Sequence, residues 1–382
     1  MKKSLIAVAV ASVFVAPAAM AEVTLSGAIN LGIEIGKSGA GKAPGGKSLT
    51  QTSLASNYSH VDIESTDDIG NGNKVIFHYQ LVAQPQNTFG NPVNRNSFLG
   101  VAGGWGAFKM GTNENVYERM MYTADPLDGA LGPGGNLNIL GTPGAGAIFQ
   151  AGQSTASQTN GQVDFYRRTD QTIWYESPNF SGFSFEVDYT LSAYKTQTIN
   201  PHVVSLGGKF QPDGAPFYVD LSYEKHKDMF GGDAIPGGTT GGTGSSDTGI
   251  QLGGGYMIGD LGLHLRYEAL KYKTDGVLAG PSEYKRNAEW IGVKYNLPSG
   301  YVGGELGIAQ KGKTNLATVK DSGAKMFGIG YFHNLSKQSQ LQFIYARTDN
   351  QDAASYGQAG TPNGGVLGSS HQVLHVGLKH TY

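Results

Sequence analysis

The 382-residue chain contains no cysteine. That excludes a disulfide scaffold, a thiolate zinc site and a cysteine nucleophile. Charge is also scarce, at 15% of residues, and nearly balanced, with 28 Lys and Arg against 30 Asp and Glu. Without a basic block the chain is not expected to bind nucleic acid. Low charge with abundant glycine argues against a coiled coil or helical bundle. No stretch beyond the first twenty residues reads as a transmembrane helix, which needs about 20 apolar residues. The 58 glycines follow no three-residue period, so this is not a collagen. With 20 Tyr and 16 Phe, the composition points to many strands and turns.

Residues 1–21 are set apart. Lys2 and Lys3 precede an apolar run from Leu5 to Val15, and Ala19-Met20-Ala21 is a small-x-small cleavage site. This reads as a cleaved secretory signal peptide, with Glu22 as the mature N-terminus. Its removal takes two lysines and no acids, so 26 basic residues face 30 acidic ones, a balance of −4.

The rest is dominated by a period of two, the mark of a strand with two unlike faces. In 217–224, Phe217, Val219, Leu221 and Tyr223 share one face, and Tyr218, Asp220, Ser222 and Glu224 the other. Residues 23–35, 183–191 and 261–268 repeat the pattern. About sixteen such segments run from 23–36 and 57–66 to 339–349 and 370–382. Many exceed the ~5–6 residues usual in soluble strands and suit the ~9–11 needed to cross a bilayer. Short turns, such as 67–72, 178–182 and 298–300, alternate with longer polar loops at 37–56, 229–246, 275–283 and 350–369. This predicts an all-β fold, a transmembrane antiparallel β-barrel formed by residues 22–382 as one domain. A soluble sandwich would alternate too. Its polar face, however, would not need mid-strand Glu, Asp, Arg and Lys, which suit a wet lumen. Aromatics near the short turns, including Trp105, Phe180, Phe183, Phe210, Tyr256 and Tyr295, suggest an interfacial girdle. Glycines on the inner face (Gly249, Gly253, Gly255, Gly303, Gly307, Gly328, Gly330) are expected to let the wall curve and leave space inside.

Several stretches resemble the general diffusion porins of Gram-negative bacteria, especially the sixteen-stranded porins of β-proteobacteria. These are "EVTLSGAINLGIEI", "DDIGNGNKVIFHYQL", "NRNSFLGVAGGWGAFKMGT", "RRTDQTIWYESPNFSGFSFEVDY" and the ending "HVGLKHTY". The resemblance runs the length of the chain. It implies a homotrimer in the bacterial outer membrane, in contact with lipopolysaccharide. It also implies a terminal aromatic, here Tyr382 where Phe is commoner, read by the barrel-insertion machinery. It implies no cofactor. The connector 113–166 should fold into the barrel and constrict it. That connector is also the longest non-alternating stretch, and loops above ~12–15 residues are usually functional or disordered.

Opposed charges across a narrow gap select solutes in such a pore. By motif, Arg95 and Arg168 match the basic wall, with Arg167 and Lys109 able to reinforce it. His60 stands where Arg or Lys is usual, and Ala28 where Lys is frequent. An unperturbed His titrates near ~6.5, so the wall is expected to be weaker and pH-dependent. The facing acids are expected in the connector, with Glu118, Asp125 and Asp128 as candidates. The −4 balance and the thinned basic wall suggest a mild cation preference.

Other motifs carry less. Gly41–Ser48 fits the P-loop pattern, but no helical pattern follows it to hold a phosphate. His371 and His375 lie four apart, ~13 Å along a strand, too far for one metal ion. Trp174 and Trp290 could line a sugar track. The leading expectation is a passive channel for ions and small hydrophilic solutes, not an enzyme. The alternatives are a sugar- or anion-specific channel and, behind these, an outer-membrane enzyme or an adhesin barrel.

Overall fold

The computed structural model describes residues 22–42, 46–87, 94–127, 132–144, 164–191, 195, 197, 200–228, 244–273, 281–362 and 366–382. The signal segment 1–21 lies outside them. Sixteen antiparallel strands form one closed sheet. They are β1 (Glu22–Ser38), β2 (Leu49–Ser56 continued by His60–Gly70), β3 (Asn73–Val82), β4 (Asn94–Gly103), β5 (Gly106–Glu114), β6 (Arg168–Glu176), β7 (Phe183–Thr190) and β8 (His202–Phe210). Then follow β9 (Phe217–Lys227), β10 (Ser246–Ile258), β11 (Leu261–Lys273), β12 (Glu283–Leu297), β13 (Gly300–Ala309 continued by Lys313–Thr314), β14 (Ala324–Asn334), β15 (Ser339–Asn350) and β16 (Ser370–Thr381). Closure is made by β1 on β16, from Ala28 opposite Thr381 to Ser38 opposite His371.

Period-two patterning dictates this closure. Along β9, Val219 and Leu221 are exposed on the outer surface while Asp220, Ser222 and Glu224 are buried inside. The apolar face is outside, the inverse of a soluble core, and closing the sheet removes edges that lipid could not hydrogen-bond. Short turns make one rim. Between β2 and β3, Asn71 and Gly72 both have positive φ (56° and 73°), the backbone of a tight hairpin that Asn-Gly favours. Outward aromatics crowd this rim, with Trp105 stacked on Tyr175 at 6.3 Å and Phe210 against Phe217 at 6.4 Å.

One boundary departs from expectation. The polar stretch 49–56, expected as loop, is the first part of β2, paired with β1 from Leu31–Ser56 to Ser38–Leu49. Its Thr, Ser and Gln side chains hide the alternation, but the backbone ladder does not depend on them. The strand breaks at 57–59. There the Ser59 hydroxyl accepts from Asn30 N at 2.9 Å, replacing a ladder bond. Because Leu49–Ser56 is a strand, the P-loop pattern lacks the helix a phosphate site requires.

Two connectors turn inward from the long-loop rim. The first follows β5. It contains a short helix, α1 (Val116–Tyr122), and a 3-10 turn at Asn136–Asn138. The second, between β15 and β16, lies against β1 and against the first. An apolar cluster fills the space between the first connector and the wall. Tyr117, Met121, Ile139, Leu140 and Phe165 pack there on Tyr272, Tyr284, Trp290 and Met326. Full burial of such side chains stabilises by about 1.5–3 kcal/mol each. The molecule's core is therefore the contact between an inserted loop and half of the barrel.

Candidate functional site

The inner glycines have a more specific task than curvature. A Cβ on Gly249 would stand 2.8 Å from the Phe165 ring, and one on Gly307 2.8 Å from Ile139. Cβ atoms on Gly328 and Gly330 would meet Leu127 at 2.6 and 3.1 Å. These positions form a floor low enough for the loop backbone to lie on the sheet.

Buried charge then fixes the loop. Arg286 on β12 pairs with Glu268 on β11 at 2.7 Å. Arg286 Nε donates to Thr142 O at 2.8 Å, and Nη2 to Ile139 O at 3.2 Å. Glu268 accepts from Gly141 N at 2.8 Å and from the Tyr117 hydroxyl at 2.9 Å. The pair thus serves both backbone polarities of the loop, which satisfies groups that would be costly to bury alone. Neither residue stood out by motif. Their one legible signal is a charge on the polar face of a strong alternating segment.

Arg95 and Arg168 do come together. Both guanidinium groups reach Glu114 at the end of β5, Arg95 at 3.0 Å. Arg95 also lies 4.4 Å over the Tyr58 ring. Asn96 joins them, accepting from Arg168 Nε at 2.8 Å and from Glu114 N at 3.1 Å. Lys109 is tied to Glu176 at 2.7 Å. Arg167 is buried behind the loop. His60 contacts Asp62 at 3.2 Å, and His78 bridges Asp62 and Glu64 at 3.0 and 3.2 Å. His60, Ala28, Asp62 and Tyr382 share a cleft of about 330 Å³ on the inner wall.

The expected acids are placed differently from the wall's cations. Glu118 is buried beneath α1 and accepts from the Tyr122 hydroxyl. Its helix turns the other way, so the charge that α1 leaves half-buried is Arg119, bound to Glu186 at 3.1 Å. Burial, then the neighbouring negative Glu114, push the Glu118 carboxyl up to about 8. Asp125 caps its own loop, accepting from Leu127 N at 2.9 Å and Asn136 N at 3.3 Å. Asp128 lies outside the described residues. Trp174 and Trp290 face inward but are buried. Each ring nitrogen donates to a carboxylate, Glu176 at 3.1 Å and Glu305 at 3.0 Å, so neither offers a stacking face to a sugar.

The second inward connector was not legible as such. Ala359 N donates to Asn138 Oδ1 at 2.8 Å, and Ser355 N to Gly144 O at 2.8 Å. The Tyr356 hydroxyl donates to Pro143 O at 3.2 Å. Beneath it His371 and His375 are buried, His375 on Glu34 at 3.2 Å. Lys42 ties this connector to the β1–β2 loop through Asp352 at 3.2 Å. Two loops therefore fill the β7–β16 side of the lumen.

Comparison with known proteins agrees with this architecture. A Gram-negative porin profile matches residues 7–353. Outer membrane porin protein 32 of Delftia acidovorans is 28% identical over 389 residues, covering 100% of both chains. Major outer membrane protein P.IB of Neisseria meningitidis serogroup A is 30% identical over 236 residues, 60% of this chain and 61% of the relative. Among solved structures, an anion-selective porin from Comamonas acidovorans superimposes with a TM-score of 0.74 at 22% identity, covering 95% of this chain and 100% of that one. A trimer form of OmpT from Vibrio cholerae gives 0.63 at 12% identity, over 95% of this chain and 99% of that one.

Proposed function

Because this chain belongs to the Gram-negative porin family and forms an outer-membrane channel for passive diffusion, we propose that its filter is the gap left by the two inward loops. The observation that carries this reading is the docking of residues 355–359 on 138–144, which makes one body of both loops. The connector 113–166 supplies the larger part. Solutes pass between this body and the wall of β1–β6, where Arg95, Arg168, Lys109 and His60 stand. The concentration gradient is the driving force.

Selectivity is a mild preference for cations. Glu114 offsets much of the charge of Arg95 and Arg168, and Glu176 that of Lys109. Asp62 and Glu64 have no Lys or Arg partner among the described residues; they meet His60 and His78, and Asp62 also accepts from the Gln80 amide at 2.8 Å. A second reading, anion preference, has support of its own. Lys209 and Lys294 point inward over the Tyr218 and Tyr301 rings, at 5.0 and 3.9 Å, with no carboxylate partner among the described residues. The Comamonas neighbour is named as anion-selective. Reversal potentials in a salt gradient decide between them. Cation preference that grows in a Lys209→Gln/Lys294→Gln variant supports the first reading, and anion preference of the wild type overturns it.

The remaining parts follow from family membership. Residues 1–21 direct export and are removed. The barrel assembles as a homotrimer, its final Tyr382 is read by the insertion machinery, and lipopolysaccharide surrounds its outer rim.

A further inference from the structure

The outer surface carries a feature that a solute channel does not need. Strand register sets Lys225 opposite Thr248, Thr248 opposite Lys271, Lys271 opposite Lys285, and Lys285 opposite Lys313. Directly opposed residues share a face, so these five side chains form one row across β9–β13. The face is the outer one, since Val219 and Leu221 on β9 and Ile250 and Leu252 on β10 alternate onto it and are exposed. The row crosses four inter-strand gaps, ~19 Å at ~4.8 Å each.

Its height is set by the same register. Between Lys225 and Phe217 lie Tyr223, Leu221 and Val219 on the outer face, and Phe217 is opposite Tyr256 in the aromatic rim. Eight residues at ~3.3 Å span ~26 Å along the strand, which at a tilt of ~35–45° is roughly 20 Å of height, most of the ~25 Å outward apolar band of such barrels. The lysines therefore lie near the far edge of the apolar band from the short-turn rim, within a side chain's reach of the lipid headgroups of the outer leaflet.

The row carries more charge than its neighbours balance. Glu283 bridges Lys271 at 2.8 Å and Lys285 at 2.6 Å. Glu289, one row below Asn287 toward the apolar band, holds the Gln310 amide at 2.5 Å. Lys225 and Lys313 have no carboxylate partner among the described residues, and Lys225, Lys285 and Lys313 are exposed. Like charges in register repel, so an external anion is the natural complement. Lysine suits phosphate as a point charge on a flexible stem.

We propose that the outer face of β9–β13 binds the phosphorylated glycolipid headgroup of the outer leaflet through Lys225, Lys271, Lys285 and Lys313. This rests on the reading that lipopolysaccharide surrounds the rim, and gives that contact a place. The ligand's phosphates face the lysine row while its acyl chains lie on Tyr223, Ile250, Leu252 and Leu265 below.

The test uses the full, folded protein in detergent with bis-phosphorylated lipid A and, separately, lipid A stripped of phosphate. The row variant carries Gln at Lys225, Lys271, Lys285 and Lys313. A control carries Gln at Lys47, Lys195 and Lys337, exposed residues outside β9–β13. Heat-modifiable gel migration and unchanged single-channel conductance establish that each is folded. The expected result is that the row variant binds bis-phosphorylated lipid A about tenfold or more weakly, and the control within about twofold of wild type. Wild type should also lose affinity for the stripped lipid. Equal binding by row variant and wild type, or equal loss in the control, overturns the site while leaving the lipid contact standing. No binding by wild type overturns both.

Discussion

The backbone amide of Ala359 donates to the side-chain oxygen of Asn138 at 2.8 Å, across 221 residues of chain. With the Ser355 N–Gly144 O and Tyr356 hydroxyl–Pro143 O bonds, it joins the last long connector to the loop that follows β5. Beside it the Tyr356 ring is buried against Gly144 and Pro143. Half of the lumen is filled by loops that hold each other as well as the wall.

Loosening that joint should widen the channel. Asn138→Ala removes the acceptor, at about 1 kcal/mol, and Tyr356→Ala removes a buried ring, at about 3–5 kcal/mol. Single-channel conductance should rise in both, more for Tyr356→Ala. Conductance equal to wild type in Tyr356→Ala would place the last connector outside the permeation path.

Glu114 holds two guanidinium groups, and its removal should be felt twice. Glu114→Gln leaves Arg95 and Arg168 without their counter-charge, which shifts the reversal potential toward anions. Loss of a buried partner should also lower stability by about 3–5 kcal/mol. Arg95→Gln alone should shift selectivity the opposite way. A Glu114→Gln reversal potential matching wild type would show that this cluster does not see the permeating ions.

The Glu118 carboxyl provides a pH test with a defined sign. Burial and the Glu114 charge raise it to about 8, so the folded protein holds a proton there that the unfolded chain releases near the ordinary carboxylate value. The stabilisation is fully present below the ordinary value and is lost as pH rises through about 8. Between pH 6 and pH 9 the loss should be on the order of 2 kcal/mol, seen as a lower denaturant midpoint and greater open-channel noise. Glu118→Gln should flatten both profiles. A wild-type profile as flat as the variant's would contradict a protonated Glu118.

The glycine floor predicts where the wall tolerates no side chain. Gly307→Leu or Gly249→Leu drives carbon into Ile139 or Phe165 and should cost about 1–3 kcal/mol of loop packing. The readout is flickering between conductance levels. Gly254, whose Cβ would meet only a backbone oxygen at 3.2 Å, provides a milder comparison. Identical quiet channels in all three would remove the floor from the account.

What was legible in the sequence follows the physics that wrote it. Sixteen strands could be read because lipid on one side and water on the other impose a period of two on segments such as 217–227. Residues 49–56 escaped because Thr, Ser and Gln satisfy either face. The loop after β5 announced itself by length. The stretch 350–369 was legible as a long polar loop but not as an inward one, because it docks through Ser355, Ala359 and Gly360, which look the same in any polar loop. Arg95 and Arg168 were singled out by motif, and they converge on Glu114. Their partner Glu114 was not: it fell at the very start of the expected connector 113–166, where the structure instead continues the strand. Glu118 was read as a lumen charge because its acidity was visible and the rotation of a seven-residue helix was not.

Planar-bilayer recording of the full, refolded protein tests the central claim most directly. A water-filled trimeric channel predicts large conductance steps, grouped in threes, that rise linearly with salt concentration. Folded, heat-modifiable protein that inserts into the bilayer and carries no current would contradict it.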